Sequence, residues 1–179
     1  MSMDRVQLKD KEFKPYIKSD KIAEAVSVVA EKINQELKDE FPLFLVVLNG
    51  SFMFAADLLR EVNIKAEISF IKVASYHGTS SSGSVTELIG LSEEIKDRTV
   101  VIVEDIVDTG VTLEKLHLVL TKKGVKNIKI ASFLMKPESY KKDIAVDYVG
   151  MSIPNDFVVG YGLDYDGLGR NLKDIYVLA

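Results

Sequence analysis

The densest chemistry of the chain lies in nine consecutive residues, Glu104-Asp105-Ile106-Val107-Asp108-Thr109-Gly110-Val111-Thr112. Three carboxylates and two threonine hydroxyls surround one glycine, between an apolar run and a segment of helical spacing. Thr109, Thr112 and the amides of residues 109–112 suit a phosphate cradle at a helix N-terminus, where unpaired N–H groups and the helix dipole attract an anion. No Gly-Lys-Ser/Thr ending follows, so this is not a Walker A loop. Carboxylates beside a phosphate repel it unless something mediates. A divalent cation such as magnesium, or sugar hydroxyls that donate hydrogen bonds, would do so. The pattern therefore points to a phosphorylated sugar. Asp105 and Asp108 could instead cap a turn, but capping requires neither both threonines nor Glu104. Asp108-Thr109-Gly110 also spells the aspartic-protease triplet, which works as two aspartates sharing a proton. This chain has one such triplet.

Other apolar runs also end in polar groups. Leu43 to Leu48 is followed by Asn49-Gly50-Ser51, an ordinary Asn-Gly turn if it stood alone, but also a set of amide donors ahead of a helix. Lys136 follows Ile128 to Met135. A lone lysine at a strand end is ordinarily a solvated surface residue.

The elements that must hold these residues follow from periodicity. Ile22, Ala23, Val26, Val29, Ala30, Ile33 and Leu37 repeat at three and four, predicting an amphipathic helix with Ser19 as its N-cap. Helices are also expected from Phe52 to Leu59 and from Thr112 to Lys122, the latter closed by Gly124. Strands are expected at Leu43–Leu48, Ile64–Ser75, Val85–Leu91, Thr99–Val103 (ending at Glu104-Asp105), Ile128–Met135, Val146–Val149 and Phe157–Tyr161. Residues 1–18 read as a packing arm. Strands alternating with helices imply a mostly parallel, twisted α/β sheet flanked by helices, with right-handed crossovers. Ligands of such sheets bind at the carboxyl ends of the strands.

The 179 residues fit one domain of ordinary size. With 47% hydrophobic and 28% charged residues, the chain can bury a core. Zero cysteines exclude disulfides, thiolate metal sites and cysteine nucleophiles. Net charge −4 argues against duplex binding by overall charge, so no nucleic-acid partner is expected. The longest apolar run, Phe41 to Leu48, has eight residues including Pro42, whereas a membrane helix needs about 20. The charged first fifteen residues leave no room for a signal-peptide apolar segment. A soluble cytoplasmic protein without membrane contact is expected.

The stretch Val100 to Thr112 resembles the phosphoribosyl-pyrophosphate signature of type I phosphoribosyltransferases. Leu48-Asn49-Gly50-Ser51-Phe52, Ser75-Tyr76, Lys136-Pro137, Phe157 to Tyr165 and Arg170 extend the resemblance to the hypoxanthine (hypoxanthine-guanine) branch, in that family's order and over roughly residues 40 to 178. The resemblance implies a single domain 1–179, with a core of about 40–150 and a hood of about 1–18 and 151–179. It implies transfer of phosphoribosyl from 5-phosphoribosyl 1-pyrophosphate to hypoxanthine and guanine, with Mg²⁺, in a homodimer or homotetramer. By the same resemblance Glu104 and Asp105 are the ribose-and-metal carboxylates, and Asp108 is the proton-transfer group beside purine N7. Thr109, Gly110, Val111 and Thr112 form the 5′-phosphate loop, and Val111 stands where many relatives carry a charge. Lys136 would donate to the 6-oxygen of the base, Phe157 would stack on it, and Val158 would offer backbone groups to its edge. Asp164 matches a second magnesium-associated carboxylate near the purine. Asn49, Gly50 and Arg170 match pyrophosphate contacts. Ser75 and Tyr76 begin a flap whose Gly/Ser-rich continuation, residues 78–84, would close over the reaction. His77 and His117 receive no role.

One departure is visible. Many relatives carry Lys-Gly in the first loop, where the peptide can be cis; here Asn49 replaces the lysine, the isomer of Asn49–Gly50 stays open, and Gly50 and Ser51 amides are expected to contact pyrophosphate. Two other functions compete. A sugar-phosphate-sensing regulator should carry a basic DNA-binding segment and lack the base-handling Lys136, Phe157 and Asp164. A phosphate-receiver domain has no need of Thr109 to Thr112. A related enzyme preferring xanthine differs only in the base.

Overall fold

The computed structural model describes residues 5–76, 85–89 and 93–179. Six strands form the large sheet: β3 (Leu43–Leu48), β4 (Glu67–Tyr76), β5 (Val85–Ile89), β6 (Thr99–Val107), β7 (Asn127–Met135) and β8 (Tyr148–Ser152), in the order β5-β4-β3-β6-β7-β8. All neighbours are parallel except β5, which runs antiparallel to β4. Strands β3 and β6 sit at the centre, and their near-continuous apolar runs are what burial on both faces demands. Phe44, Val46, Val101 and Val103 pack under α1 (Ser19–Glu36) and α2 (Phe52–Glu61). Leu43, Leu45, Val100 and Ile102 pack on the other face with Leu113, Leu116 and Leu120 of α3 (Val111–Lys122).

A second, antiparallel sheet is built from the chain ends. Its strands β1 (Val6–Leu8), β2 (Lys11–Ile17), β9 (Val158–Val159) and β10 (Ile175–Leu178) lie in the order β1-β2-β10-β9. The expected arm is thus a hairpin, and with β9 and β10 it makes a small hood over the carboxyl ends of the large sheet.

Several element ends differ from their sequence reading. β6 does not stop at Glu104-Asp105 but runs to Val107, because its parallel pairing with β7 continues through Ile106↔Leu134 and Val107↔Met135. β4 begins at Glu67, where its partner Leu43 begins. β8 is shifted toward the C-terminus and keeps Met151 and Ser152 in the large sheet. Of the expected strand 157–161 only Val158–Val159 pairs, since a Gly160↔Leu163 bridge turns the chain away. Ser19 is not the N-cap of α1; Lys18 is, without a side-chain cap. The Ser19 amide donates instead to Asp174 Oδ1 at 2.8 Å, and Lys18 Nζ reaches Asp174 Oδ2 at 2.9 Å. A carboxylate from 155 residues away does the work of a local cap. Among the described residues no helix is long and apolar enough to cross a membrane.

Candidate active site

The loops after β3 and β6 and the turn before β10 meet in one cleft of about 340 Å³. Asn49, Gly50, residues Glu104 through Leu113, Asp164 and Arg170 line it. Glu104 and Asp105 lie on β6 rather than on a flexible loop, so the rigid sheet aims their carboxylates. Glu104 is only 6% exposed. Burial holds its carboxyl well above the ordinary glutamate range, and the neighbouring Asp105 adds to the rise. Asp105 is raised too, chiefly by burial; the Ile106 amide, 2.7 Å from Asp105 Oδ1, and the charge of Arg170 oppose that rise. Two adjacent buried carboxylates with too little positive charge between them are poised for a cation or for hydroxyl donors.

Gly110 follows at φ 80°, in the left-handed region, and serves as the N-cap of α3. Glycine meets no Cβ penalty there. Val111, Thr112 and Leu113 then present the unpaired amides of the first helical turn to the cleft. Thr109, Val111 and Thr112 are exposed at its rim. The cradle thus stands at the positive end of a 12-residue helix, as an anion requires.

The pyrophosphate-loop candidates lie on the other wall. The cis peptide of this segment joins Leu48 and Asn49, one residue earlier than the bond left open above. Gly50 is sandwiched: a Cβ there would overlap the Asp105 carboxylate, and a Cβ on Gly162 would overlap the Gly50 carbonyl. Only glycines allow the hood to approach the sheet this closely. Arg170 is held over the cleft by two contacts, Nη1 donating to the Gly162 carbonyl at 2.7 Å and Nη2 meeting Asp164 Oδ1 at 2.6 Å. Asp164 also accepts from the Gly167 amide at 2.6 Å. Asp164 therefore stands at the acidic end of the cleft, near enough for its charge to raise the Asp105 carboxyl slightly further.

Lys136 is not a solvated surface lysine. It is 8% exposed, its amide donates to the Val107 carbonyl at 2.9 Å, and its Nζ donates to Asp108 Oδ2 at 3.0 Å. The ends of β6 and β7 thus bring a buried ammonium against a half-exposed carboxylate. Phe157, 44% exposed, stands in the hood among Phe13 and Tyr165, with ring centroids 6.1 and 5.9 Å away. Lys11 Nζ lies 5.5 Å from its centroid, a cation–π contact that the sequence pattern does not signal. Val158 is buried in β9, which is the edge strand of its sheet, so its main-chain groups on the side away from β10 are not used for pairing. Neither residue lines the cleft that holds Glu104 to Leu113. Ser75 and Tyr76 end β4; residues 77–84, with most of the expected flap, lie outside the described residues.

Local pattern also gave no sign of three further groups. Tyr140 and Lys142 stand behind Gly110, and Gly162 meets Gly50. The Gly160-Tyr161-Gly162 spacing is the one sequence signal that could have pointed to a close approach.

The phosphoribosyl transferase domain model matches residues 16–166 of the chain. The hypoxanthine-guanine phosphoribosyltransferase of Lactococcus lactis is 41% identical over 166 residues, 92% of this chain and 90% of its own. That of Bacillus subtilis is 40% identical over 166 residues, covering 92% of each. The solved hypoxanthine phosphoribosyltransferase of Staphylococcus aureus superposes with a TM-score of 0.85 at 34% identity, over 93% of this chain and 91% of that one.

Proposed function

The chain belongs to the phosphoribosyltransferase family, and we propose from there that it is a purine-salvage enzyme. It transfers phosphoribosyl from 5-phosphoribosyl 1-pyrophosphate to hypoxanthine or guanine, giving IMP or GMP and pyrophosphate. One observation carries the reading. A buried carboxylate pair and an amide-rimmed helix start share a cleft, and a lysine–aspartate pair stands where that cleft's β6 loop meets β7.

Each group then has a task. The first-turn amides of α3, with Thr109 and Thr112, hold the 5′-phosphate. Glu104 and Asp105 accept hydrogen bonds from the ribose hydroxyls and set the sugar's orientation, which lowers the entropic part of the barrier. The all-oxygen donor set also fits Mg²⁺. Among the described residues no three His, Cys, Asp or Glu could hold an ion by themselves, so an ion here would take one or two carboxylates and fill its remaining positions from substrate phosphates and water. One or two of Glu104, Asp105 and Asp164 would hold it, and when bound it would supply charge neutralisation of the pyrophosphate leaving group. Arg170 and the Asn49–Gly50 main chain face the same leaving group.

At the base, a 6-oxopurine presents an acceptor to Lys136 and a proton at N7 to Asp108, so its edge takes the place of the ion pair between them. Asp108 accepts that proton as the glycosidic bond forms. Adenine carries an amine where Lys136 needs an acceptor, leaving a buried ammonium unpaired. Phe157 stacks on the base, Val158 offers its main-chain groups, and the segment after Ser75-Tyr76 shields the reacting ribose. The cytoplasm is the expected location, with a homodimer or homotetramer as the working unit.

The deciding experiment offers hypoxanthine, guanine, xanthine and adenine separately with phosphoribosyl pyrophosphate and magnesium. Hypoxanthine and guanine should turn over, adenine not. Adenine as the fastest base would overturn the role of Lys136, and xanthine as the fastest would move the enzyme to the related specificity.

A further inference from the structure

The loop that joins β7 to β8 meets the turn between β6 and α3 at three points. Lys136 pairs with Asp108 at 3.0 Å, ahead of the cradle. Lys142 pairs with Glu114 at 2.7 Å, in the first turn of α3. Between them the Tyr140 ring stands against Gly110 by its Cδ2–Cε2 edge: a Cβ built on that glycine would stand 2.9 Å from Tyr140 Cδ2 and from Lys142 Cγ, and nearer still to Tyr140 Cε2. The ring itself is fixed. Its amide donates to the Lys136 carbonyl at 3.1 Å, its hydroxyl donates to the Ile144 carbonyl, and its body packs against the apolar cluster on the α3 face.

From this packing we propose that Tyr140 is a positioning residue for the 5′-phosphate of the sugar substrate. Gly110 has no side chain to hold it and occupies the left-handed region, so its main chain would sample other conformations if nothing backed it. The Tyr140 ring supplies that back wall and keeps the amides after Gly110 converged on one point. Lys142 adds a charge effect, because it pairs with Glu114, a carboxylate in the first turn of the helix whose start would hold the phosphate. The inference rests on the function proposed above only in naming the sugar phosphate.

The test is a kinetic split. Tyr140→Ala should raise KM for phosphoribosyl pyrophosphate about tenfold while kcat falls less than about threefold and KM for hypoxanthine stays within about twofold. Tyr140→Phe keeps the ring and should stay within about twofold of the parent in every constant. Should Tyr140→Ala not fold, Tyr140→Leu, which restores part of the volume but lacks the ring edge that reaches Gly110, should still show the KM increase. An unchanged KM for phosphoribosyl pyrophosphate in a folded Ala or Leu variant overturns the proposal, and so does an equal loss in Tyr140→Phe. Calorimetric titration with ribose 5-phosphate separates this from the activity. Weaker binding by Tyr140→Ala in a protein that turns over no purine would sink the proposed function and leave the back wall standing. Turnover with unchanged ribose 5-phosphate binding would do the reverse.

Discussion

The large sheet and the hood are held together by different physics, and the cleft lies between them. In the large sheet, strands β3 and β6 are apolar along most of their length, and each face is sealed by helices, so burial supplies the stability. The hood has a far smaller apolar centre, with Leu8, Phe13 and Val159 buried in it. Its attachment to the large sheet combines shared apolar core, to which Ile17, Val158, Tyr161, Leu163 and Ile175 contribute, with two long-range polar contacts, Asp174 accepting from the Ser19 amide of α1 and Tyr161 Oη donating to Asp57 of α2 at 2.8 Å. Groups that need accurate placement sit on the first region. Groups that cover the cleft, Asp164 and Arg170, come from the second. Opening the hood would expose its share of that core but leave β3 and β6 covered by their helices, so it should cost less than disturbing the sheet.

Four substitutions test that contrast. Asp108→Asn removes the proton acceptor from the rigid side and should cut turnover by roughly 10²–10⁴ fold, read in a steady-state assay with hypoxanthine; turnover near that of the parent would remove Asp108 from the chemistry. Ile102→Ala empties a fully buried site of the large sheet and should cost about 2–5 kcal/mol of unfolding free energy in urea.

Asp174→Ala should cost less, about 1–3 kcal/mol, by leaving the Ser19 amide without its acceptor. It should act chiefly on the hood, so β1, β2 and β10 amides would exchange hydrogen faster while β3 and β6 amides keep their protection. The pH dependence has a sign. Burial alone would raise the Asp174 carboxyl, but the hydrogen bonds from Lys18 and Ser19 outweigh it and bring the group below the ordinary aspartate range. Its contribution is thus present above the unfolded value and lost as pH falls through the lower folded one. Acid should narrow the gap between parent and variant. A gap that widens in acid contradicts the assignment.

The smallest effect has the opposite sign. Glu104 is buried with its pKa raised, so its ionisation opposes folding, and that penalty grows as pH rises above the unfolded glutamate value. Glu104→Gln should add roughly 1 kcal/mol at neutral pH in the metal-free protein, a Tm gain of about 2–4 °C, and nothing in strong acid, while phosphoribosyl transfer falls. A variant that loses both stability and activity would show that Glu104 is held by the fold and not strained by it.

Much of this was readable from the residues. The strands and helices were legible because their signal is local, a run of apolar residues for a doubly covered strand and a three-four spacing for a helix face. The segment 104–112 was legible because its residue types suit little else. Element ends were less so, since β6 continues past Glu104 only because β7 offers further partners. The lysine after Met135 looked like any surface lysine, and nothing local said that Asp108, 28 residues away, would meet it.

The sequence by itself settled which chemical groups exist and in what order the elements carry them, because apolar periodicity and the 104–112 motif are properties of neighbouring residues. Tertiary structure alone decided that Tyr140 backs Gly110, that Gly162 admits the hood to Gly50, and that Asp174 rather than Ser19 caps α1. Those contacts join residues far apart in the chain and of unremarkable type, and only the packing of one element on another brings them together.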